Sequence, residues 1–412
     1  MLNSSIWYHE SQLYCDSVPV REIVAQTGTP VYIYSLPRAL ANFRRIRDAF
    51  PQAHIHYSAK ANANLAVLAA LVRAGAGIDA VSGGEVYRAR LADAPPERIV
   101  FAGVGKTGQE LYYAVEEGIG WFNVENVHEA HKLNTIACEC SKTVRVALRL
   151  NPDVSAKTHP HIATGHGGAK FGLTADTIRE LLARRSETPN IAYAGIHIHI
   201  GSQLHDTAAT LQAVRAALDL IAPYPEIRTV NIGGGLPVAY EGDEALPSVE
   251  EFAAALLPLL DGYELILEPG RSIIADAGLL VTRVNYLKEQ GGQHFLIVDA
   301  GMTDLIRPAL YDAHHAVVPL EQHDGERQPM QIVGPVCETT DVLARDALLP
   351  PVTRGDCLAV LTAGAYGMVM ASNYNARPRP PEVVVAEGGD RWYLARRRET
   401  WHDLVIHELD IP

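Results

Sequence analysis

The chain has 412 residues, of which 48% are hydrophobic and 20% are charged, a balance that is ordinary for a globular protein. This composition can form a large core and excludes disorder as the main state, and the length predicts two or three domains, or one large barrel with a smaller partner. The 48 acidic residues outnumber the 35 basic ones, and the formal net charge of −13 argues against nucleic acid as a partner.

The sequence also indicates the cellular compartment of the protein. A membrane-spanning helix needs a run of about 18 apolar residues, and the sequence contains none. Residues 1–20 lack the basic start and the apolar stretch of a signal peptide. The 5 cysteines form no disulfide framework in a chain of this length, and their odd number leaves at least one thiol unpaired. We therefore expect a protein of the reducing cytoplasm, with no membrane partner.

The middle of the chain alternates short β-rich runs with amphipathic helical patterns. An early strand is predicted in TPVYIYSLP (29–37). Eight further strands are predicted at 54–59, 78–82, 99–102, 120–124, 144–150, 194–200, 229–232 and 264–267. Helices are predicted at 64–74, 107–117, 174–182 and 211–221, and Thr107 with Glu110 makes a capping-box pattern. Eight βα units over about 220 residues favour a closed (β/α)8 barrel over a doubly wound sheet.

The pattern changes near residue 280. Short alternating runs broken by Gly and Pro follow, among them GLLVTRVNYLKEQ (278–290) and HFLIVDAG (294–301), and they predict an antiparallel β-barrel or sandwich. We expect the early strand to join this second domain. The predicted domains are an N-terminal segment, 1–35, a barrel, 36–280, and a β domain, 281–412.

Polar residues collect where the predicted barrel strands end, which is where barrels of this type carry their chemistry. Lys60 follows the first strand, and a desolvated lysine there can form an imine, although a surface lysine fits the pattern as well. Three glycines, 233–235, follow the seventh strand and suit either a phosphate site or a tight turn. Glu268 follows the eighth strand, where it could face a pyridine nitrogen or form an ion pair with Arg271.

Histidines and cysteines leave further alternatives open. His197 and His199 share one face of a strand and could bind a metal ion, or they could stack on a ring or transfer protons. His159, His161 and His166 in a predicted loop could add metal ligands, but no HExxH or CxxC motif accompanies them. Cys337 beside Glu338 suits a proton donor or a buried structural thiol.

The motifs together resemble the alanine racemase-like, fold-type III family of pyridoxal-phosphate enzymes, and within it the diaminopimelate decarboxylases. Eight motifs carry the resemblance in the family's order: YSAKAN (57–62), GIDAVSGGE (77–85), HIHIGSQ (197–203), NIGGG (231–235), EPGR (268–271), DAGMTDLIRPALY (299–311), GPVCET (334–339) and GAYGMVMASNYNARPRP (364–380). They span most of the chain. The resemblance implies a pyridoxal 5'-phosphate enzyme with no metal ion that decarboxylates meso-2,6-diaminopimelate to L-lysine, the last step of lysine biosynthesis.

The resemblance also implies roles for individual residues. Lys60 would bind the cofactor covalently, His199 would stack on its ring, Asp79 would lie near it, and Glu268 would pair with the ring nitrogen. The phosphate would be held by Ser202, Gly235, Gly270, Arg271 and Tyr366. The substrate would be bound by Arg271, Arg307, Tyr311, Glu338 and Tyr366. Cys337 would return a proton to the α-carbon, and it would come from the second subunit of a homodimer with shared active sites.

Substrate identity depends on fewer residues. A bidentate contact of Arg307 suits a distal carboxylate, and Glu338 suits a distal ammonium, which together describe the distal end of meso-diaminopimelate. The segment GHGGAKFGL (165–173), Thr303 and Thr340 depart from the usual family pattern. A decarboxylase for ornithine, a carboxylated polyamine or a secondary-metabolite amino-acid conjugate is the alternative. A non-catalytic cofactor carrier and a metal-dependent barrel hydrolase built on the histidine pair are the alternatives from other classes.

Overall fold

The computed structural model describes residues 1–154, 170–242 and 244–409. The segment 155–169, with His159, His161, His166 and most of the Gly- and His-rich departure from the family pattern, lies outside the described residues. The chain divides into two compact units. The first unit is made of Met1–Asn42, Ala239–Glu244 and Ile273–Pro412, and the second of Phe43–Val238 and Ala245–Ser272.

The strands are, in chain order, β1 (Ile6–His9), β2 (Gln12–Cys15), β3 (Val18–Pro19), β4 (Val31–Ser35), β5 (Ala53–Ser58), β6 (Gly77–Ala80), β7 (Ile99–Phe101), β8 (Trp121–Val124), β9 (Val144–Leu150), β10 (Ile191–Ile198), β11 (Thr229–Asn231), β12 (Glu264–Leu267), β13 (Gly278–Gln290), β14 (Gln293–Val298), β15 (Val317–Pro319), β16 (Gln328–Val333), β17 (Val342–Leu349), β18 (Cys357–Val360), β19 (Glu382–Val385) and β20 (Trp392–Arg396). The helices are α1 (Val20–Thr27), α2 (Leu36–Ala49), α3 (Leu65–Arg73), α4 (Gly83–Leu91), α5 (Gly108–Glu117), α6 (Val127–Glu139), α7 (Ala175–Ala183), α8 (Ala208–Ile221), α9 (Val249–Leu256), α10 (Arg271–Ile274), α11 (Arg307–Tyr311) and α12 (Trp401–Val405).

The second unit is the predicted eight-stranded barrel. Strands β5 to β12 pair in parallel, in chain order, and β12 closes the barrel onto β5. All eight predicted barrel strands are present, and those at 144–150 and 264–267 have the predicted bounds. These strands are short apolar runs because parallel strands covered by helices are buried on both faces. The fold class is therefore confirmed, and the doubly wound alternative is wrong.

Side chains fill the barrel interior. Val100, Trp121, Ala147 and Ile266 form one buried cluster. Gly195 leaves room for the large ring in this layer, because a Cβ placed there would lie 3.1 Å from Cζ3 of Trp121 and 3.1 Å from Cβ of Ala147. The barrel is thus a packed core, and its chemistry is left to the ends of its strands.

The four predicted helices are also present, and their ends follow local chemistry. Thr107 and Glu110 form the predicted capping box at the start of α5, with each side chain bonded to the other residue's backbone N–H. The same helix ends at Gly118, which adopts the left-handed conformation (φ +71°) that costs glycine least. Helix α8 begins at Ala208, three residues before its predicted start. The capping box marks where the βα loop before α5 ends, and Gly118 marks where the loop to β8 begins.

The first unit contains a mixed sheet in the order β17-β16-β14-β13-β4-β19-β20, with β18 bonded to β13 and β15. Strand β4 confirms the prediction that the early strand joins this sheet. Most neighbours are antiparallel as predicted, but β14 pairs with β16 in parallel, and so does β4 with β19. Parallel neighbours need a long connection, and the one between β14 and β16 contains both α11 and β15.

Strands β1, β2 and β3 form a small separate antiparallel sheet in the same unit. Their inward residues, with those of β4, β13 and β19, build a continuous apolar core that includes Ile6, Leu13, Ile33, Val281 and Val383. None of the helices in the described ranges has both the length and the apolar character that crossing a bilayer requires.

Candidate active site

Lys60 lies where the sequence predicts it, directly after β5, in a single helical turn formed by Ala59–Ala61. Its Nζ is 3.5 Å from Oδ2 of Asp79, and its side chain is 38% exposed whereas that of Asp79 is fully buried. The lysine amine therefore reaches the end of the barrel with its charge held by a carboxylate from the neighbouring strand, β6.

Asp79 is a buried carboxylate with an incomplete set of partners. Its Oδ2 accepts a hydrogen bond from the Ser58 hydroxyl and faces Lys60. Its Oδ1 is buried and has no hydrogen-bond partner among the described residues. Burial, and next the charge of Glu268, raises the pKa of Asp79, while Lys60 and Ser58 act in the opposite direction. A buried oxygen without a partner is rare in a folded protein and marks a position where a bound group is expected.

Glu268 follows β12 and is held by three side chains from other strands. Its Oε1 accepts hydrogen bonds from Nδ2 of Asn123 at 3.0 Å and Nδ2 of Asn231 at 2.6 Å. Its Oε2 lies 3.2 Å from Nε2 of His197. Burial alone would raise the pKa of Glu268, but the charge of His197 and these hydrogen bonds outweigh burial and lower it. Glu268 is therefore an ionised carboxylate in a buried position.

The contacts of Glu268 decide one alternative that the sequence leaves open. Within the described chain its carboxylate is bound by two amides and an imidazole, and none of these contacts is an ion pair with Arg271. Arg271 instead donates to Oγ of Ser202, from Nε at 3.2 Å and from Nη2 at 3.1 Å. Two residues predicted to hold the phosphate are thereby brought together.

The two histidines of the HIH motif have different partners. His197 lies inside β10 and faces Glu268, and its Nδ1 is buried with no hydrogen-bond partner in the part of the chain described. His199 lies beyond the strand, and its Nδ1 accepts the N–H of Gly234 at 3.3 Å. Burial, together with the charges of Lys60 and Arg149, holds the pKa of His199 well below its ordinary value. A neutral, half-buried ring at the strand end suits stacking on an aromatic group.

The backbone of the glycine turn after β11 comes very close to neighbouring residues. Gly233 and Gly235 have φ of +66° and +105°, which side-chain-bearing residues rarely adopt. A Cβ at Gly235 would lie 2.7 Å from Cδ1 of Leu204, and a Cβ at Gly270 would lie 3.0 Å from the Cβ atoms of Ser58 and Ala61. At both positions the backbone therefore packs so closely against its neighbours that a Cβ would collide with them.

The remaining predicted residues lie in the first unit. Arg307 begins α11 and is 6% exposed, and Tyr311 ends the same helix. Cys337 and Glu338 are exposed, and Oε1 of Glu338 accepts a hydrogen bond from the Tyr374 hydroxyl at 2.5 Å. Tyr366 is half-buried and has a positive φ of +56°.

Sequence reasoning missed several residues that these contacts bring in. Asn123 and Asn231 hold Glu268, and Ser58 binds Asp79. Each is a polar residue within an apolar barrel strand (WFNV, TVN, AHIHYS). That signal was visible in the sequence, because a polar side chain in a strand buried on both faces needs a partner.

Comparisons with known proteins agree with this site. Residues 38–275 match the family model described as "Pyridoxal-dependent decarboxylase, pyridoxal binding domain". A diaminopimelate decarboxylase of Aquifex aeolicus is 44% identical over 415 residues, which cover 99% of this chain and 98% of that protein. One of Vibrio cholerae is also 44% identical, over 98% of this chain and 99% of that protein.

Solved structures agree as well. A diaminopimelate decarboxylase of M. jannaschii has a TM-score of 0.94 and 36% identity and covers 100% of this chain and 99% of its own. A diaminopimelate decarboxylase of Helicobacter pylori, complexed with L-lysine, has a TM-score of 0.90 and 37% identity over 95% of this chain and 99% of its own.

The barrel with its lysine, buried carboxylates and glycine turn is that of a pyridoxal-dependent decarboxylase, a carboxy-lyase that uses pyridoxal 5'-phosphate. Within that class, the full-length relatives show that the chain belongs to the diaminopimelate decarboxylase family. The resemblance predicted from the eight motifs is thereby confirmed, and the hydrolase alternative is wrong.

The residues present fit pyridoxal phosphate. Asp79 faces Lys60 through Oδ2 and keeps a buried Oδ1 with no hydrogen-bond partner among the described residues. Glu268 is an ionised carboxylate of the kind that pairs with a protonated ring nitrogen. Arg271 and Ser202 lie together and supply a cation and a hydroxyl that suit a phosphate, whereas the N–H groups of Gly233 and Gly234 already donate to Asn231 and His199. The roles of the individual site residues stay predictions.

Proposed function

We propose that this chain decarboxylates meso-2,6-diaminopimelate to L-lysine and CO2, the last step of lysine biosynthesis. The single observation that carries the proposal is the cluster at the barrel end, where three side chains keep Glu268 ionised in the same barrel that presents Lys60 beside Asp79. Membership of the diaminopimelate decarboxylase family supports the choice of substrate, and so do related structures complexed with L-lysine.

The barrel residues would hold the cofactor, which when bound supplies an electron sink for the carbon–carbon bond that breaks. Lys60 would hold its aldehyde carbon, with Asp79 keeping the lysine charge in place. His199 would cover one ring face, and Glu268 would keep a proton on the ring nitrogen. The phosphate would be held by Ser202, Gly235, Gly270, Arg271 and Tyr366.

The ionised state of Glu268 is central to this chemistry. A carboxylate in a buried site attracts a proton on a neighbouring nitrogen much more strongly than it would in water. Asn123 and Asn231 donate only to Oε1, while Oε2 faces His197. These contacts keep the negative charge on Glu268, and so they favour the protonated form of the nitrogen with which it pairs.

The proposed substrate site lies on residues of the first unit, together with Arg271. Arg307 would bind the distal carboxylate, Glu338 the distal ammonium, and Tyr311 and Tyr366 would line the same site. Glu338 is held by the Tyr374 hydroxyl, which fixes the position of its carboxylate. Holding both ends of the substrate orients the bond to be broken, and orientation of this kind lowers reaction barriers substantially.

Cys337 is proposed as the acid that returns a proton to the α-carbon. It is exposed, and its backbone N–H donates to Oδ1 of Asn375 at 3.4 Å, so the thiol is carried on a loop held by a side chain. We infer a homodimer with shared active sites, in which the Cys337 loop of one subunit completes the barrel site of the other.

The proposed partners are therefore the amino-acid substrate and a second copy of the chain, and neither nucleic acid nor membrane is among them. The proposed domains are an N-terminal segment, 1–35, the cofactor-binding barrel, 36–280, and a β domain, 281–412. The expected location is the cytoplasm.

The direct test is to load the purified protein with pyridoxal phosphate and supply meso-diaminopimelate. We expect equimolar L-lysine and CO2, because the barrel presents both the amine and the buried carboxylate that the reaction needs. Ornithine and carboxylated polyamines, assayed in parallel, should react at least about 100-fold more slowly, since they lack the distal carboxylate that a charged hydrogen-bond donor recognises.

The matched control is Lys60→Ala, which removes the amine and lies outside β5. Unchanged CO2 release by that variant would contradict the role of Lys60. A wild-type protein that prefers another amino acid would overturn the assigned substrate while leaving the decarboxylase class intact.

A further inference from the structure

Arg307 is a buried cation in the first unit with two aromatic neighbours. Its Nη1 lies 2.9 Å from Nε2 of His315. Its guanidinium carbon lies 4.6 Å from the centroid of the Tyr240 ring. His315 and Tyr240 also contact each other edge to face, with ring centroids 5.4 Å apart. Burying an arginine costs free energy unless its N–H donors have acceptors, and His315 provides one such acceptor for Arg307.

The hydrogen bonds of His315 fix its tautomer. Its Nδ1 lies 2.9 Å from the carbonyl oxygen of Leu361, and a carbonyl only accepts, so Nδ1 carries the proton. An arginine only donates, so Nε2 must accept from Arg307, which requires the neutral ring. Burial, and next the charge of Arg307, lowers the pKa of His315 to about 3, so the ring stays neutral near neutral pH.

The neutral imidazole of His315 binds Arg307 differently from the way a carboxylate would. A carboxylate in the same place would hold the guanidinium and cancel its charge. The His315 lone pair holds Nη1 without cancelling that charge, and the Tyr240 ring fixes the plane of the guanidinium. The geometry restricts both the rotation and the tilt of Arg307 before any ligand arrives, and such pre-ordering strengthens binding.

We propose that His315 is a positioning residue that, with Tyr240, orients Arg307 to recognise the distal carboxylate of the substrate. The inference rests on the proposed function, which assigns Arg307 to that carboxylate. His315 touches neither the reacting atoms nor the cofactor in this account. It acts through Arg307, and it therefore determines specificity for substrates that carry a second carboxylate.

The test compares two variants that separate the two hydrogen bonds of His315. In His315→Gln the amide oxygen takes the place of Nε2 and keeps an acceptor for Arg307. In His315→Asn the amide lies near the position of Nδ1, so the contact with Leu361 is kept and the acceptor for Arg307 is lost. Calorimetry on protein loaded with pyridoxal phosphate measures the affinity for L-lysine, which retains the distal carboxylate, and for 1,5-diaminopentane, which lacks it.

We expect His315→Asn to weaken L-lysine binding about 10- to 100-fold, the effect of losing one hydrogen bond to a charged group. The KM for meso-diaminopimelate should rise by a similar factor, with kcat changing less than about threefold, because remote binding is lost rather than chemistry. His315→Gln should restore L-lysine affinity to within about threefold of the wild type, and the affinity for 1,5-diaminopentane should stay within about twofold in both variants.

Three results would overturn the inference: unchanged L-lysine affinity in His315→Asn, an equal loss for both ligands, or no rescue by glutamine. If the asparagine variant does not fold, as judged by circular dichroism, Tyr240→Leu against Tyr240→Phe provides the same comparison, with loss of L-lysine affinity expected only for leucine. A wild-type protein that releases no L-lysine from meso-diaminopimelate would refute the proposed function itself. A fully active wild type with an unaffected asparagine variant would refute only the positioning role.

Discussion

At the residue scale, two asparagines help to keep Glu268 ionised inside the barrel. Asn123 and Asn231 come from different strands and donate to the same oxygen of Glu268. Amides provide hydrogen bonds without adding charge, so they stabilise the carboxylate against burial while leaving its negative charge to act on a partner. Polar residues of this kind determine the protonation state of the site as much as the acid itself does.

Replacing Asn123 by leucine tests this role, because leucine has a similar volume and no donor. The Asn123 amide donates to the charged form of Glu268, so losing that hydrogen bond should raise the pKa of Glu268 toward its ordinary value. Protonation of Glu268 would then begin at higher pH, so the acid limb of the pH–kcat profile should move to higher pH. Because that ordinary value lies well below neutral pH, Glu268 stays ionised at pH 7, and we expect kcat there to change less than about threefold.

The matched control is Asn134→Leu, since the Asn134 side chain accepts from the Asn190 N–H outside the Glu268 cluster. That variant should keep the wild-type profile. If Asn123→Leu shows the same acid limb as the wild type, the asparagine does not control the charge of Glu268.

Regular elements were well predicted because their signals are local. Strand β9 has the predicted bounds, and the Thr107–Glu110 capping box was predicted from the residue types alone. Strand pairing in the second sheet was predicted less well. The parallel pairing of β4 with β19 joins residues about 350 positions apart, such as Ile33 and Val383, and no local pattern records which distant strand becomes a neighbour.

The site residues, too, were predictable where a local pattern placed them and unpredictable where their contacts depend on packing. Lys60, Glu268 and the glycine turn could be placed from the strand count, because residues after parallel strands gather at one end of a barrel. The partners of Glu268 could not, since side-chain direction on each strand depends on the barrel register. The contact between Arg307 and His315 spans only 8 positions, yet it depends on how α11 packs, which periodicity does not predict.

At the scale of the whole molecule, the proposed active site needs two copies of the chain. Its barrel residues and Cys337 lie in different units of one chain, and the proposal draws them from different subunits. If each site takes residues from both subunits, two different inactive subunits can together form one intact site. An enzyme whose sites each lie within one subunit cannot regain activity in this way.

Co-expression of Lys60→Ala and Cys337→Ala subunits with different affinity tags tests the shared site. A purified heterodimer has one fully intact site, formed by Lys60 of one subunit and Cys337 of the partner subunit. It should show about half of the wild-type activity, because two-fold symmetry gives a dimer two equivalent sites. Each mutant homodimer serves as the inactive control. An inactive heterodimer would place both residues in the same subunit.

The central claim is that the Lys60 amine holds the aldehyde carbon of pyridoxal phosphate at the end of the barrel. Borohydride reduction of the loaded protein makes that bond permanent, and peptide mass spectrometry then locates it. We expect one phosphopyridoxyl group per chain, on the peptide that contains Lys60. Its attachment to Lys106, Lys142 or any other lysine, or to none, would contradict the account.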